Sequence, residues 1–191
     1  MQNHNTISRL EDQKLLLDAR SLHFILHRLA CQLIENHGDF SNVALIGLQP
    51  RGSFLLSRLR EILQNDYHVS NLDTGLLDIT FYRDDFRRGD SPLKANSTQI
   101  DFLIEDKKVV IVDDVLYTGR SIRAALTALQ SFGRPSSVEL LTLIDRRFSR
   151  HLPIQPDYKG RQVDAIDGQK VKVHWKENFG EDAVYLIKTE A

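Results

Sequence analysis

The chain has 191 residues, Lys+Arg 25 against Asp+Glu 26 for a formal net charge of −1, and a single cysteine. This length fits one domain, spanning residues 1–191. The balanced charge excludes a general affinity for nucleic acid, so any basic surface has to be local. Cys31 alone excludes an internal disulfide and fits a reducing, cytoplasmic location. Residues 1–20 lack an apolar stretch behind a basic start, and no run approaches membrane-spanning length, so no membrane partner is expected.

Residues 1–14 are polar and read as a loose arm. Asp18 is placed to N-cap a helix running to about Asn36, with Leu22, Ile25, Leu26, Leu29 and Leu33 along one face and His37-Gly38 as its stop. The opposite face carries His23, His27, Arg28 and Cys31. That set lacks a paired cysteine and a fourth convincing ligand, so a solvated helix face is preferred to a metal site. Val43–Leu48 follows as a buried strand. Gln49-Pro50-Arg51-Gly52 then turns into a helix whose Phe54, Leu55, Leu59, Ile62 and Leu63 face inward, which puts backbone donors and a cation at the carboxyl end of a strand.

Leu76–Tyr82 reads as the next strand. Residues 83–107 are charged, contain Gly89 and Pro92, and hold few apolar residues before Ile100. A segment this long without periodicity is often a functional lid. Arg83 at its start suits charge-assisted contacts to phosphate oxygens, whereas Arg87 and Arg88 also fit a solvated loop with internal ion pairs.

Val109-Val110-Ile111-Val112 is an apolar, β-branched run suited to a buried parallel strand. Asp113 and Asp114 stand where it ends. Val115, Leu116 and Tyr117 lead into Thr118-Gly119-Arg120-Ser121, which opens a helix with Ile122, Ala125, Leu126, Leu129 and Phe132 at helical spacing and Gly133 and Pro135 as its stop. The chemistry is legible locally. Ionised aspartates only accept hydrogen bonds, so a pair of them suits vicinal hydroxyls. A helix N-terminus with Thr118 and Ser121 hydroxyls, and a glycine that lets the backbone come close, suits a monophosphate. Together they describe a holder for a ribose 5-phosphate, at the strand ends where open α/β sheets favour ligands. The alternative, a capped turn and an ordinary N-cap, accounts for the parts but not for the whole pattern.

Val138–Ile144 is a further parallel strand with Asp145-Arg146-Arg147 at its carboxyl end. The repeated strand–helix order predicts an α/β core. Gln162–Ala165, Lys170–Trp175 and Ala183–Ile187 read as shorter strands.

The wording Val112-Asp113-Asp114-Val115-Leu116-Tyr117-Thr118-Gly119-Arg120 resembles the phosphoribosyl-pyrophosphate (PRPP) signature of type I phosphoribosyltransferases. Together with Asp78–Asp85, Gly133-Arg134-Pro135-Ser136-Ser137 and Leu152-Pro153-Ile154, it resembles the PyrR family of pyrimidine operon attenuators and uracil phosphoribosyltransferases over roughly residues 17–188. The resemblance implies a type I phosphoribosyltransferase fold, with a central parallel sheet flanked by helices and a small β hood. It assigns 83–107 to a flexible loop closing over PRPP and 145–188 to the hood and base-recognition region.

By the same resemblance, Asp113 and Asp114 hold the ribose hydroxyls and, with Arg83, make up the catalytic set. Residues 117–121 grip the 5′-phosphate, with Val115 and Leu116 in the same motif. Pro50, Arg51 and Gly52 form the pyrophosphate loop, although Pro50 departs from the family's small polar residue. Mg²⁺ is carried largely through PRPP. The base falls to Asp145, Arg146 and Tyr158, the last matching an aromatic that stacks on the base in hypoxanthine-guanine phosphoribosyltransferases. Those enzymes carry a lysine where this chain has Asp145, which argues against a 6-oxopurine and is compatible with uracil. The implied reaction joins uracil and PRPP to give UMP and pyrophosphate. The resemblance also implies a homodimer or larger assembly and UMP-dependent binding of leader RNA. His27, Cys31, Gln49 and Pro50 depart from the family at the RNA face and weaken that second expectation.

Overall fold

Val109, Val110, Ile111 and Val112 are fully buried because their strand lies in the middle of a parallel sheet with apolar cover on both faces. The computed structural model describes residues 13–84, 96–166 and 168–188. Its elements in chain order are β1 (Gln13–Leu17), α1 (Ala19–His37), β2 (Val43–Leu48), α2 (Gly52–Asn65), β3 (Asp73–Leu77), a 3₁₀ turn (Thr80–Tyr82), β4 (Lys108–Leu116), α3 (Arg120–Leu129), β5 (Ser137–Arg147), β6 (Tyr158–Asp164), β7 (Gln169–His174), α4 (Lys176–Phe179) and β8 (Ala183–Lys188). The main sheet has the order β3-β2-β4-β5-β6, and each neighbouring pair is parallel. A second sheet, β1-β8-β7, is antiparallel and forms the hood.

The pleat divides the core between two faces. Val110 and Val112 pack with Leu22, Leu26, Leu29 and Leu33 of α1 and Leu55, Leu59 and Leu63 of α2. Val109 and Ile111 pack with Ile122, Ala125, Ala128 and Leu129 of α3. Asp18 caps α1, its carboxylate accepting from the Ser21 N–H at 2.8 Å. Along α3 the buried face uses Ala124 and Ala128, and Leu126, expected inside, is 40% exposed.

Several sequence expectations are corrected. The third strand starts earlier and stops at Leu77, because the Asp78 carboxylate folds the chain: it accepts from Thr80 N at 2.8 Å, Thr80 Oγ1 at 2.6 Å and Asn96 N at 2.6 Å. Strand β4 continues through Asp113 and Asp114 to Leu116, and β5 through Asp145 to Arg147, since the two ladders support each other as far as Leu116 opposite Asp145. The strand containing Gln162 and Val163 is not in the hood. It is β6, parallel to β5 in the main sheet, and Gly160 allows it to lie close, because a Cβ there would meet the Leu143 carbonyl oxygen at 2.4 Å and Ile25 Cγ2 at 2.8 Å.

The hood is completed instead by β1, with Gln13 opposite Ile187 and Lys14 opposite Leu186; Gln13 and Lys14 are thus strand rather than loose arm, and residues 1–12 lie outside the described residues. Much of the expected 83–107 loop, residues 85–95, also lies outside them. Its described far end is packed: Gln99 and Leu76 exchange backbone hydrogen bonds of 2.8 Å, and Ile104 is fully buried. Among the described residues, no helix is long and apolar enough to cross a membrane.

Candidate active site

The parallel sheet brings the carboxyl ends of β2 and β4 side by side, and a cavity of about 760 Å³ opens there beneath the hood. Pro50 and Arg51 line it from the turn after β2, Asp113, Asp114 and Val115 from β4, and Arg83 from the segment after the 3₁₀ turn. Gly52 is what makes the first turn fit. A Cβ at this position would stand 2.3 Å from the Val112 carbonyl oxygen and 3.2 Å from Asp113 Cα, so the start of α2 rests directly on the backbone of β4. The Gln49–Pro50 peptide is cis. Ser53 Oγ donates to the Pro50 carbonyl at 2.6 Å.

Burial pushes the Asp113 carboxyl well above the usual carboxylate range, and the neighbouring Asp114 charge pushes it further. Burial likewise raises Asp114, while the Arg51 charge opposes the rise. Asp113 Oδ1 accepts from the Asp114 N–H at 3.0 Å, whereas buried Asp114 Oδ2 has no hydrogen-bond partner among the described residues. A buried carboxylate oxygen in that condition is costly unless something donates to it. A vicinal diol or a hydrated divalent cation is a suitable donor. No group of three or more His, Cys, Asp or Glu among the described residues could hold a metal by itself. The donor set therefore fits Mg²⁺ only as that ion is commonly held, through one or two carboxylates together with substrate phosphates.

The turn after β4 closes the adjoining side of the cavity. Gly119 has φ +88° at the N-cap of α3, and a side chain there would press on Ile154 at 3.2 Å. The Arg120 N–H donates to Thr118 Oγ1 at 3.4 Å, and the Thr118 carbonyl accepts from His151 N at 3.0 Å. Tyr117 and Ser121 line the cavity. Leu116 is buried against the α3 side of the core, and the Arg120 side chain turns away to Asp84.

The residues expected to meet the base are separated. Arg146 lines the cavity, donates to the Gln169 carbonyl at 3.0 Å and lies over the Tyr117 ring at 3.9 Å from its centroid. Asp145, next along β5, is buried without lining the cavity, its carboxylate paired with Arg150 and accepting from Gln162 Nε2 at 3.4 Å. Tyr158 is also absent from the cavity wall. It is 4% exposed, and its hydroxyl donates to Glu139 at 2.8 Å and meets Asn36 at 3.1 Å and His37 at 3.0 Å. Burial, then Glu139, raises its pKa. This is a core tyrosine, which corrects the stacking expectation. Tyr158→Phe is expected to cost about 1–2 kcal/mol of stability by leaving buried partners unsatisfied, with kcat and the KM for the base unchanged. Denaturant unfolding beside steady-state kinetics checks this; a raised base KM at unchanged stability would restore the stacking role.

Lys170 and Lys172, which are not among the sequence-predicted site residues, line the cavity from β7. Their alternation with buried Val171 and Val173 was the available signal. Arg28, on the α1 face expected to be solvated, donates to the Lys159 carbonyl at 3.2 Å and to that of Gly160 at 2.5 Å.

A parallel α/β sheet with a β hood, an acid pair at the end of its central strand and a glycine-turned helix N-terminus beside it defines a phosphoribosyltransferase. The phosphoribosyl transferase domain family matches residues 12–178. Proteins called "Bifunctional protein PyrR" from Desulfosudis oleivorans and Acetivibrio thermocellus are 44% and 41% identical, covering 93% and 94% of this chain and 97% and 96% of theirs. The chain belongs to the PyrR family of phosphoribosyltransferases. Among solved structures, hypoxanthine phosphoribosyltransferases share the fold. That from Staphylococcus aureus has TM-score 0.66 at 21% identity, covering 95% of each chain, and that from Trypanosoma cruzi has TM-score 0.69 at 16% identity, covering 93% of this chain and 97% of its own.

Proposed function

We propose that this chain transfers the phosphoribosyl group of PRPP to uracil, releasing pyrophosphate and forming UMP, within a single domain. The observation that carries the reading is the Asp113–Asp114 pair, with its unsatisfied buried oxygen, in one cavity with Arg51 and Arg83. In this reading the acid pair accepts from the ribose 2- and 3-hydroxyls and favours positive charge developing at the anomeric carbon. Residues 117–121 hold the 5-phosphate at the N-terminus of α3. Arg51 and Arg83 meet the pyrophosphate, whose departing charge Mg²⁺ also neutralises when bound. The base then attacks from the opposite side, in the space bounded by Tyr117, Arg146 and the hood strand β7. Such a reaction needs positioning, charge neutralisation and exclusion of water more than covalent help.

Uracil is favoured over a 6-oxopurine because Asp145 replaces a lysine and its carboxylate is tied to Arg150. Pyrophosphate release is measured with Mg²⁺, PRPP and each of uracil, cytosine, orotate, hypoxanthine and guanine offered separately. Turnover with uracil, giving UMP, is expected. Turnover with a purine instead would keep the PRPP site and overturn the base.

The relatives' name, "Bifunctional protein PyrR", supports a second activity, UMP-responsive binding of leader RNA. The engagement of Arg28 in carbonyl contacts leaves less free charge on α1 for that role. A gel shift with leader RNA across a salt series, with and without UMP, tests it, and no shift at low salt would remove it. A homodimer or larger assembly is part of the same reading and is read by analytical ultracentrifugation.

A further inference from the structure

Arg83 and Asp84 are neighbours in sequence with opposite destinations. Arg83 follows the 3₁₀ turn in an extended conformation, φ −77° and ψ 139°, a geometry that sends successive side chains to opposite sides. Arg83 lines the cavity. Asp84 turns outward and accepts from Arg120 Nε at 2.9 and 3.1 Å, with further short contacts to the terminal nitrogens of Arg120 and Arg123. Both arginines belong to α3, the helix whose N-terminus borders the phosphate side of the cavity.

We propose that Asp84 is a positioning residue: paired with Arg120 and Arg123, it pins the chain to α3 and so holds Arg83 in the cavity. Arg120, which the signature motif suggests as a direct ligand, is in this view an anchor whose side chain serves Arg83 at second hand. The inference rests on the reading of the cavity as a PRPP site. Two cations on one carboxylate make a bidentate network rather than a lone surface pair. Hydrogen bonds from Arg120, and after them Arg123, lower the Asp84 carboxyl to about 2, so the anchor remains ionised throughout the neutral range. The placement also couples the two walls of the site: the segment carrying the pyrophosphate-side cation is fastened to the helix that starts at the phosphate turn.

An ornamental surface pair and a positioning pair differ in how they combine with Arg83. Full-length wild type, Arg83→Ala, Asp84→Ala, the double variant and Asp84→Glu are compared by PRPP titration in a calorimeter, which needs no turnover, and by steady-state kinetics. Arg83→Ala is expected to weaken PRPP binding on the order of 30-fold. Asp84→Ala should weaken it about tenfold, with the KM for uracil changed less than about twofold, and Asp84→Glu should recover much of the loss. The double variant should be no worse than Arg83→Ala alone, because Asp84 has nothing left to aim. Additive losses, or an Asp84→Ala protein that binds PRPP normally, would overturn the inference. Normal binding by Arg83→Ala would overturn it together with the assignment of Arg83 to pyrophosphate. If wild type binds PRPP but turns over no base, the same titrations still decide the anchor, and only the uracil reading is lost.

Discussion

Replacing Gly52 with alanine is expected to lower kcat/KM on the order of 100-fold and to cost about 1–3 kcal/mol of stability. The added Cβ would sit 2.3 Å from the Val112 carbonyl oxygen. Backbone meets backbone there, so no rotamer change relieves the contact, and either the turn after β2 or strand β4 has to move. The displaced parts are Arg51 on one side and Asp113 on the other, which the proposed mechanism needs in register. Displacements of about 1 Å at reacting groups are enough for a loss of this size. Gly180→Ala is the matched control. Its φ is +78° but no atom lies within 4 Å of its added Cβ, so it should lose about 1–2 kcal/mol through backbone strain alone and keep its kinetics. Guanidinium unfolding and initial rates on both variants separate the two. A Gly52→Ala protein with ordinary kinetics would show that the turn and the strand need not touch for the site to work.

The contrast between Gly52 and Tyr158 explains what was legible in the sequence. Residues 109–121 could be read because every requirement in them is local: a buried strand, acids at its end, a glycine in a turn and a helix start. Gly52 was placed in the pyrophosphate loop by motif, but the contact that demands glycine comes from another strand, and no spacing rule reports it. Tyr158 matched an aromatic in related enzymes, yet its hydroxyl is taken up by Glu139, Asn36 and His37. Those partners converge only when α1, β5 and β6 assemble, so the sequence offered a plausible stacking residue where the fold makes a core one.

The assignment of β6 to the hood failed for a related reason. Only Tyr158 and Val163 are buried along it, and strand character alone does not say which sheet receives it. The close approach at Gly160, against Leu143 and Ile25, agrees with its place beside β5. Strand β1 is not legible in the sequence because five residues, Gln13–Leu17, give too short a pattern, and its pairing partner β8 lies at the far end of the chain. The anchor at Asp84 has the same character. Asp84, Arg120 and Arg123 are unremarkable charges until the fold joins them.

Asp114→Asn is expected to move activity and stability in opposite directions. The wild-type carboxyl is held above its ordinary pKa by burial, against the pull of Arg51, and its Oδ2 is buried without a partner among the described residues. A group whose folded pKa exceeds its unfolded one favours folding while protonated, and that contribution is lost as pH rises through the folded pKa. Ionising the buried pair therefore costs stability, and asparagine removes one of the two charges. The variant should gain about 0.5–2 kcal/mol, a stability–function trade-off of ordinary size, while kcat/KM falls tenfold to on the order of 100-fold because the ribose hydroxyls lose an anionic acceptor. The stability gap should narrow as pH falls and the buried wild-type pair takes up protons, and wild-type kcat/KM should fall with it for the same reason. Thermal unfolding across a pH series, alongside a pH–rate profile, reads all of these. Normal kinetics in the folded variant would remove Asp114 from the ribose site. Activity and stability lost together would mark it instead as a structural carboxylate whose partner asparagine cannot replace.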